Sequence, residues 1–215
     1  MLRITLAAAV VCLGAIYGML SWRAQDHITD AGFWFEDMSF DCPPLVSAGY
    51  GGPLTESEKQ RIRDVAWSEV RGAFAGLRVR FSENRDAYYR VRVVQEFEPA
   101  IQGAAGATYV LPLLGGSSSV NFLFLATQAV WHTPAGSDRA TVVDAIGRGV
   151  GRASVHEFLH QVVPRVNIHD SKDDRSYEFA YSSRPAQFYG DMRFDIARPA
   201  LLQRFGPAAT VQQAR

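Results

Sequence analysis

The pentapeptide His156-Glu157-Phe158-Leu159-His160 combines two metal-binding side chains with a carboxylate. Side chains four residues apart in a helix lie on the same face, so the two imidazoles can bind a single zinc ion. Glu157 would then lie beside the metal, where its carboxylate can take a proton from zinc-bound water and pass it to a leaving amine. The spacing therefore predicts metal-assisted hydrolysis of a peptide bond. The alternative is that both histidines are ordinary helix-surface or hydrogen-bonded core residues.

A catalytic zinc site needs a third protein ligand, and residues downstream of His160 compete for that role. His169 follows a helix that Pro164 must end, and the eight residues between His160 and His169 are enough chain to turn back to the metal. Glu178, eighteen residues after His160, could supply a carboxylate from a following helix. We favour His169, because imidazole suits zinc and because Asp170 or a carbonyl could orient its other ring nitrogen.

Composition and charge limit the classes of function to consider. With 215 residues, of which 47% are apolar, the chain can bury one sizeable core, so a single domain is expected. The 22 basic and 22 acidic residues balance, and the sequence has no dense basic stretch. Because nucleic-acid binders carry a basic surface, we expect no DNA or RNA partner.

The N-terminus contains a charge-free run, residues 4–22, between Arg3 and Arg23. As a helix it would span about 28 Å, close to the roughly 30 Å hydrocarbon core of a bilayer. We interpret residues 1–23 as a signal anchor rather than a cleaved signal peptide, because no convincing A-x-A-like site follows the apolar run. The membrane is then a partner, and the rest of the chain is extracytoplasmic. If the segment is cleaved instead, the protein is secreted.

Cys42 is the only cysteine beyond the N-terminal segment, so the remainder of the chain has no disulfide of its own. One hypothesis is that the Cys42 thiolate binds the zinc and keeps the protein latent. The alternative is a small, partly buried thiol with a packing role.

The rest of the chain divides into a lead-in, residues 24–54, and a domain, residues 55–215. The lead-in lacks periodicity and is rich in turn residues, so we predict an extended segment. A capping box at Thr55 and Glu58 starts a helix that runs to Gly76. The Gly/Ser patch 115–119 is expected to be a turn or a mobile loop. Alternating apolar residues predict strands at 77–82, 88–97, 108–114 and 119–127.

A second long helix is predicted from Asp138 to Val163, carrying the two histidines, and a short one near the C-terminus at 199–204. Gly147, Gly149 and Gly151 lower helix propensity, and close approach of this helix to the sheet would explain them. The predicted fold is α+β: one domain in which a twisted, mostly antiparallel sheet packs on the N-terminal helix and the histidine-bearing helix.

This order of elements, with HExxH on the second helix, resembles that of the zincin metallopeptidases, and within them the metzincins. The resemblance covers about residues 55–195 and is specific only at HEFLH. It implies that His156 and His160 bind zinc, that Glu157 is the general base, and that Tyr189 donates a hydrogen bond to the oxyanion. The chain departs from the metzincin pattern after His160, since valines stand where that pattern has glycine and the last histidine, and His169 comes three residues later.

Two functions follow as hypotheses. The first is a zinc metallopeptidase with His156, His160 and His169 as ligands. The second is a non-catalytic, metal-binding interaction module of the cell envelope. They differ in the coordination of the metal, because a catalytic site keeps one position open to water, whereas a structural site is closed by four protein ligands.

Overall fold

The computed structural model describes residues 28–111, 115–163 and 167–208, which form a mixed α+β fold around one five-stranded sheet. A 3₁₀ turn, Pro99–Ile101, precedes the fourth strand. The elements in chain order are β1 (Thr29–Phe35), α1 (Pro43–Ser47), α2 (Glu56–Ala73), β2 (Val79–Ser82), β3 (Tyr89–Val94), β4 (Gly106–Leu111), β5 (Gly115–Asn121), α3 (Phe122–Trp131), α4 (Arg139–Val162), α5 (Pro185–Tyr189) and α6 (Arg198–Phe205).

The sheet is mostly parallel, which corrects the prediction of a mostly antiparallel one. The strand order is β2-β1-β3-β5-β4. β1 runs parallel to both β2 and β3, β3 runs parallel to β5, and only the edge strand β4 is antiparallel to its neighbour. Alternating apolar residues identify strands but carry no information about their direction, so the sequence left the orientation open.

Strand β1 lies in the segment that we predicted to be an extended lead-in. The segment is extended, but it forms an interior strand of the sheet between β2 and β3. Phe33 is fully buried and packs edge-on against Trp67 of α2, with ring centroids 4.8 Å apart. Four consecutive residues of β1 are buried, and such strands show no alternation of apolar and polar residues. That is why the sequence pattern did not identify it as a strand.

The connection between β2 and β3 crosses over β1 instead of making a hairpin. Ser82 at the end of β2 pairs with Gly32, and Tyr89 at the start of β3 pairs with Ala31. The connection therefore begins and ends beside adjacent residues of β1. A Cβ on Gly32 would lie 2.3 Å from the carbonyl oxygen of Asn84. Gly32 therefore leaves the space in which this short loop passes over the strand.

The two long helices begin and end close to their predicted boundaries. At the start of α2, the Glu58 backbone N–H donates to the Thr55 hydroxyl and the Glu58 carboxylate accepts from the Thr55 backbone, as the capping box predicted. Asp138 caps α4 by accepting from the Thr141 N–H at 2.8 Å. The two helices pack along each other on the buried face of the sheet. The predicted C-terminal helix is α6.

The segment around residue 120 differs from its prediction at both ends. The Gly/Ser patch expected to be a turn or loop belongs to β5, and the strand predicted at 119–127 ends at Asn121. The Asn121 side chain accepts from the Phe124 N–H at 3.1 Å and starts helix α3. A short apolar run suits a buried strand and a buried helix equally, so a single capping residue decided the boundary here.

The predicted N-terminal anchor lies outside the described residues and stays a prediction. Within the described part of the chain, no helix combines the length and the apolar character that crossing a bilayer requires.

Candidate metal centre

Two glycines allow helix α4, which carries His156 and His160, to pack closely against α2. A Cβ on Gly147 would lie 2.7 Å from the Val65 Cβ, and one on Gly151 would lie 2.7 Å from the Ala66 carbonyl oxygen. The close approach that we predicted from these glycines is therefore to α2 rather than to the sheet. The third glycine, Gly149, faces α5, where an added Cβ would lie 2.4 Å from the ring of Phe188.

The opposite face of α4 lies on strands β4 and β5, and here the glycines belong to the strands. A Cβ on Gly106 would lie 2.3 Å from the Glu157 carboxylate, and one on Gly116 would lie 2.5 Å from the Gln161 Cγ. The Gly/Ser composition of this part of the sheet thus gives Glu157 and Gln161 room to lie directly against the strands.

The structure brings His156, His160 and His169 together. Their candidate ligand nitrogens all lie within 4.8 Å of one another, and the Nε2 atoms of His156 and His169 are 3.3 Å apart. Ligand atoms around a tetrahedral zinc, at about 2.0–2.1 Å from the metal, are separated by about 3.3 Å. His169 reaches the helix from the loop that follows it, next to Ile168, which is buried in the core. The His156–His169 distance matches that between two ligands of one zinc, and the three imidazoles together could hold a metal ion.

The protonation of the two helix histidines also suits a metal ligand. Burial lowers the pKa of His156 to about 3 and that of His160 to about 4, so both rings are neutral at pH 7. The His156 Nδ1–H donates to the Tyr177 carbonyl oxygen at 2.6 Å, which fixes the tautomer and leaves Nε2 with its lone pair toward His169. Neutral imidazole with its second nitrogen hydrogen-bonded is the usual form of a zinc-binding histidine.

Glu157 is buried beside the cluster, with 7% of its surface exposed. Its carboxylate accepts a hydrogen bond from the Thr108 hydroxyl of β4. Burial raises the pKa of Glu157 to about 7, an effect that the Thr108 hydrogen bond opposes. A carboxylate of this kind is suited to exchanging a proton near neutral pH.

A cleft of about 730 Å³ opens over the three histidines and Glu157. One wall is formed by residues 103–108 and Val110, leading into and along β4, and the other by residues 179–184. Phe124 of α3 and the exposed ring of Tyr181 add aromatic surface to the lining. Among the described residues, no further His, Cys, Asp or Glu joins the histidine cluster. The histidine cluster opens onto the cleft, since all three histidines line it.

Glu178, the rival candidate for the third ligand, lies elsewhere. Its fully buried carboxylate accepts from the backbone N–H groups of Asp195, Ile196 and Ala197, at 2.7–3.2 Å, and from the Ser176 hydroxyl. It thereby holds the chain that enters α6. Asp170 accepts from the Asn167 amide at 2.7 Å rather than orienting the ring of His169.

Tyr189, predicted to donate to an oxyanion, is not brought to the cleft. Its hydroxyl lies against the end of α3, donating to the Ala129 carbonyl oxygen at 2.8 Å and contacting the Thr133 hydroxyl at 2.9 Å. Tyr189 thus ties α5 to α3.

Cys42 lies in the core at the other end of α4, where burial raises the pKa of its thiol and Arg139 is nearby. Arg139 and His156 are seventeen residues apart on one helix, a separation of about 25 Å. In this structure Cys42 packs in the core, as the alternative to the latency hypothesis states, and its thiol does not lie at the histidine cluster.

Two residues around the site were not predicted to have any role. Arg184 is buried at the cleft and donates to the carbonyl oxygens of Asp174, Ser176 and Tyr181, and burial lowers its pKa to about 10. It holds together the loop that forms one wall. Thr108 donates to Glu157. No sequence motif marks either residue, because Thr108 meets Glu157 from 49 residues away and Arg184 binds backbone carbonyl oxygens, which every residue type supplies.

Comparison of this chain with family models, with curated proteins and with solved structures gives no match. Its function must therefore be inferred from the residues of the site.

Proposed function

We propose that this protein is a zinc-dependent hydrolase of peptide bonds, with His156, His160 and His169 as the metal ligands and Glu157 as the general base. The observation that carries the proposal is the cluster of three imidazoles beside a buried carboxylate at the wall of an open cleft. The zincin-like order of elements inferred from the sequence agrees with this proposal.

The donor set supports zinc as the ion. Three imidazoles are typical of zinc sites, whereas magnesium and calcium prefer oxygen ligands. When bound, zinc would act as a Lewis acid and lower the pKa of a coordinated water. The Tyr177 carbonyl would hold His156 in the tautomer that presents Nε2.

Glu157 supplies proton transfer in this proposal. One of its carboxylate oxygens accepts from Thr108, which leaves the other able to receive a proton from water in the cleft. The same carboxyl group can then deliver that proton to the amine that leaves when the peptide bond breaks. The low exposure of Glu157 keeps bulk water from competing for the proton.

Strand β4 supports a peptide as the substrate. It is an edge strand, and none of its backbone groups bonds outside the β4–β5 ladder to any residue that the structure describes. An extended peptide can pair with such an edge through main-chain hydrogen bonds. Because Thr108 and Val110 also line the cleft, a peptide paired with β4 would pass in front of Glu157.

The alternative function, a non-catalytic metal-binding module of the cell envelope, requires a closed metal site. The absence of a fourth candidate ligand within the described residues favours the enzyme. In either case, we propose that the apolar N-terminal segment attaches the protein to a membrane, with the domain on the extracytoplasmic side.

The test is a comparison of the wild type with Glu157→Gln. We expect about one zinc per chain in both proteins, because the ligands are unchanged. The variant should hydrolyse an unstructured protein more than about a hundredfold more slowly, since general-base help contributes about 10²–10⁴-fold. Hydrolysis is measured on the full chain with a fluorescently labelled casein, and zinc is measured by atomic absorption.

The matched control is Asp144→Asn, which makes the same carboxylate-to-amide change on the same helix, at a surface ion pair with Arg61. This variant should hydrolyse casein at the wild-type rate. Equal hydrolysis by the wild type and Glu157→Gln would rule out the enzymatic proposal. So would a zinc-loaded wild type that hydrolyses none of a panel of unstructured proteins.

A further inference from the structure

The hydrogen bonds behind Glu157 form a chain with a defined direction, which begins at Gln161. The Gln161 Oε1 accepts from the Arg90 N–H at 3.1 Å, and its Nε2 donates to the Arg90 carbonyl oxygen at 2.8 Å. A backbone N–H only donates and a carbonyl only accepts, so this pair of bonds fixes which side of the amide is oxygen. The other Nε2 hydrogen points to the Ser118 hydroxyl at 2.6 Å.

Ser118 must therefore accept from Gln161 and use its own hydrogen elsewhere. Its hydroxyl lies 2.7 Å from the Thr108 hydroxyl and 3.2 Å from the Glu157 carbonyl oxygen. Ser118 is 1% exposed, so bulk water is not available to it as an alternative partner. The shorter contact makes Thr108 the acceptor.

Thr108 is then left with one hydrogen to donate. Its hydroxyl is closer to the Glu157 carboxylate than to the Glu157 carbonyl oxygen, which is 3.2 Å away. An ionised carboxylate only accepts hydrogen bonds, so Thr108 is the donor in this last bond, and its direction continues that of the earlier bonds. The chain of donors runs from Gln161 through Ser118 and Thr108 to Glu157.

We propose that Thr108 is a positioning residue, which holds the Glu157 carboxylate at the wall of the cleft through the donor chain that Gln161 and Ser118 orient. The role rests on the proposed function, since the Thr108 hydroxyl acts through Glu157 and not directly on the metal or on the bond that breaks. Three strands and α4 contribute to the chain, so its geometry is set by the core of the fold rather than by a mobile loop. Bonds of this kind, with a charged acceptor and donors that polarise one another, are stronger than neutral pairs.

The test compares three variants of the full chain. Thr108→Val keeps the shape of the side chain and removes the donor, and Thr108→Ser keeps the donor. Ser117→Ala removes a neighbouring hydroxyl of β5 from the other face of the sheet and controls for loss of a polar group. We expect Thr108→Val to lower kcat about ten- to a hundredfold with KM and zinc content unchanged, as loss of a hydrogen bond to a charged group predicts. Thr108→Ser and Ser117→Ala should stay close to the wild type.

A second readout does not depend on turnover. The infrared carboxylate band of Glu157, assigned as the band that Glu157→Gln removes, should shift in Thr108→Val and keep its position in Thr108→Ser. Wild-type kcat in Thr108→Val, or equal loss of kcat in Thr108→Ser, would overturn the proposal. If Glu157→Gln leaves hydrolysis unchanged, the enzymatic function fails instead. In that case the infrared band is the remaining test of the positioning role, and an unshifted band in Thr108→Val overturns that role.

Discussion

Gly106 and Glu157 lie so close that the carboxylate occupies the space of a side chain at residue 106. A Cβ on Gly106 would be 2.3 Å from the Glu157 Oε1 and 2.5 Å from its Cγ. Gly106 has an ordinary strand conformation, so the constraint at this position is one of space and not of backbone angle. The smallest residue of β4 therefore fixes where the proposed general base can lie.

Gly106→Ala should displace Glu157 and slow hydrolysis about a hundredfold, because a shift of about 1 Å in a catalytic group can have that effect. Overpacking should also lower the free energy of unfolding by about 1–3 kcal/mol. Zinc content should not change. Casein hydrolysis, urea denaturation and zinc analysis measure the three effects. Gly52→Ala is the control, because a Cβ there meets no atom within 4 Å and Gly52 does not line the cleft, and it should behave like the wild type. Full activity in Gly106→Ala would show that Glu157 does not need its observed position.

His169→Ala should lose zinc, whereas Glu178→Gln should keep it. Removing a ligand weakens zinc binding by more than the roughly 10–100-fold that follows loss of a ligand's hydrogen-bond partner. Glu178→Gln instead weakens the charged hydrogen bonds to the backbone before α6, and should lower the free energy of unfolding by about 1.5–3 kcal/mol. Competition with a chromophoric chelator gives the zinc affinities, and urea denaturation gives the stability. A Glu178 variant that loses zinc, beside a His169 variant that keeps it, would move the third ligand to Glu178.

The stability of chelator-stripped protein should depend on pH through opposing contributions from the site. His156 and His160 titrate near pH 6.5 when unfolded, but at about 3 and about 4 when folded. The unfolded chain therefore binds more protons on these rings below pH 6.5, and stability falls as pH decreases. Glu157 acts the other way: its pKa rises from 4.5 to about 7 on folding, so its contribution increases as pH falls from 7 to 4.5.

Glu157→Gln removes the opposing contribution, so its stability should fall more steeply between pH 7 and pH 5 than that of the wild type. Urea midpoints of both metal-free proteins at the two pH values measure the difference. Equal changes in the two proteins would mean that Glu157 does not hold its proton in the folded state.

Several features were predictable from the sequence because they depend on residues close together in the chain. The capping box at Thr55, the apolar periodicity and Pro164 gave helices α2 and α4 nearly their observed boundaries. The i, i+4 spacing of His156 and His160 is enough to place both rings on one face of a helix. The chemistry proposed here, a metal between two imidazoles with a carboxylate beside it, follows from those local rules.

Other features were decided by contacts between distant residues. A buried strand, β1, enters the sheet between two strands that are neighbours in sequence, and so makes them parallel. The same long-range packing brings His169 to the helix while Glu178 and Tyr189 bond elsewhere. It also places Thr108 against Glu157, 49 residues away in the chain. Spacing in sequence limits how far a residue can reach, but which partner it meets depends on the order of strands and the packing of helices, which the local pattern does not encode.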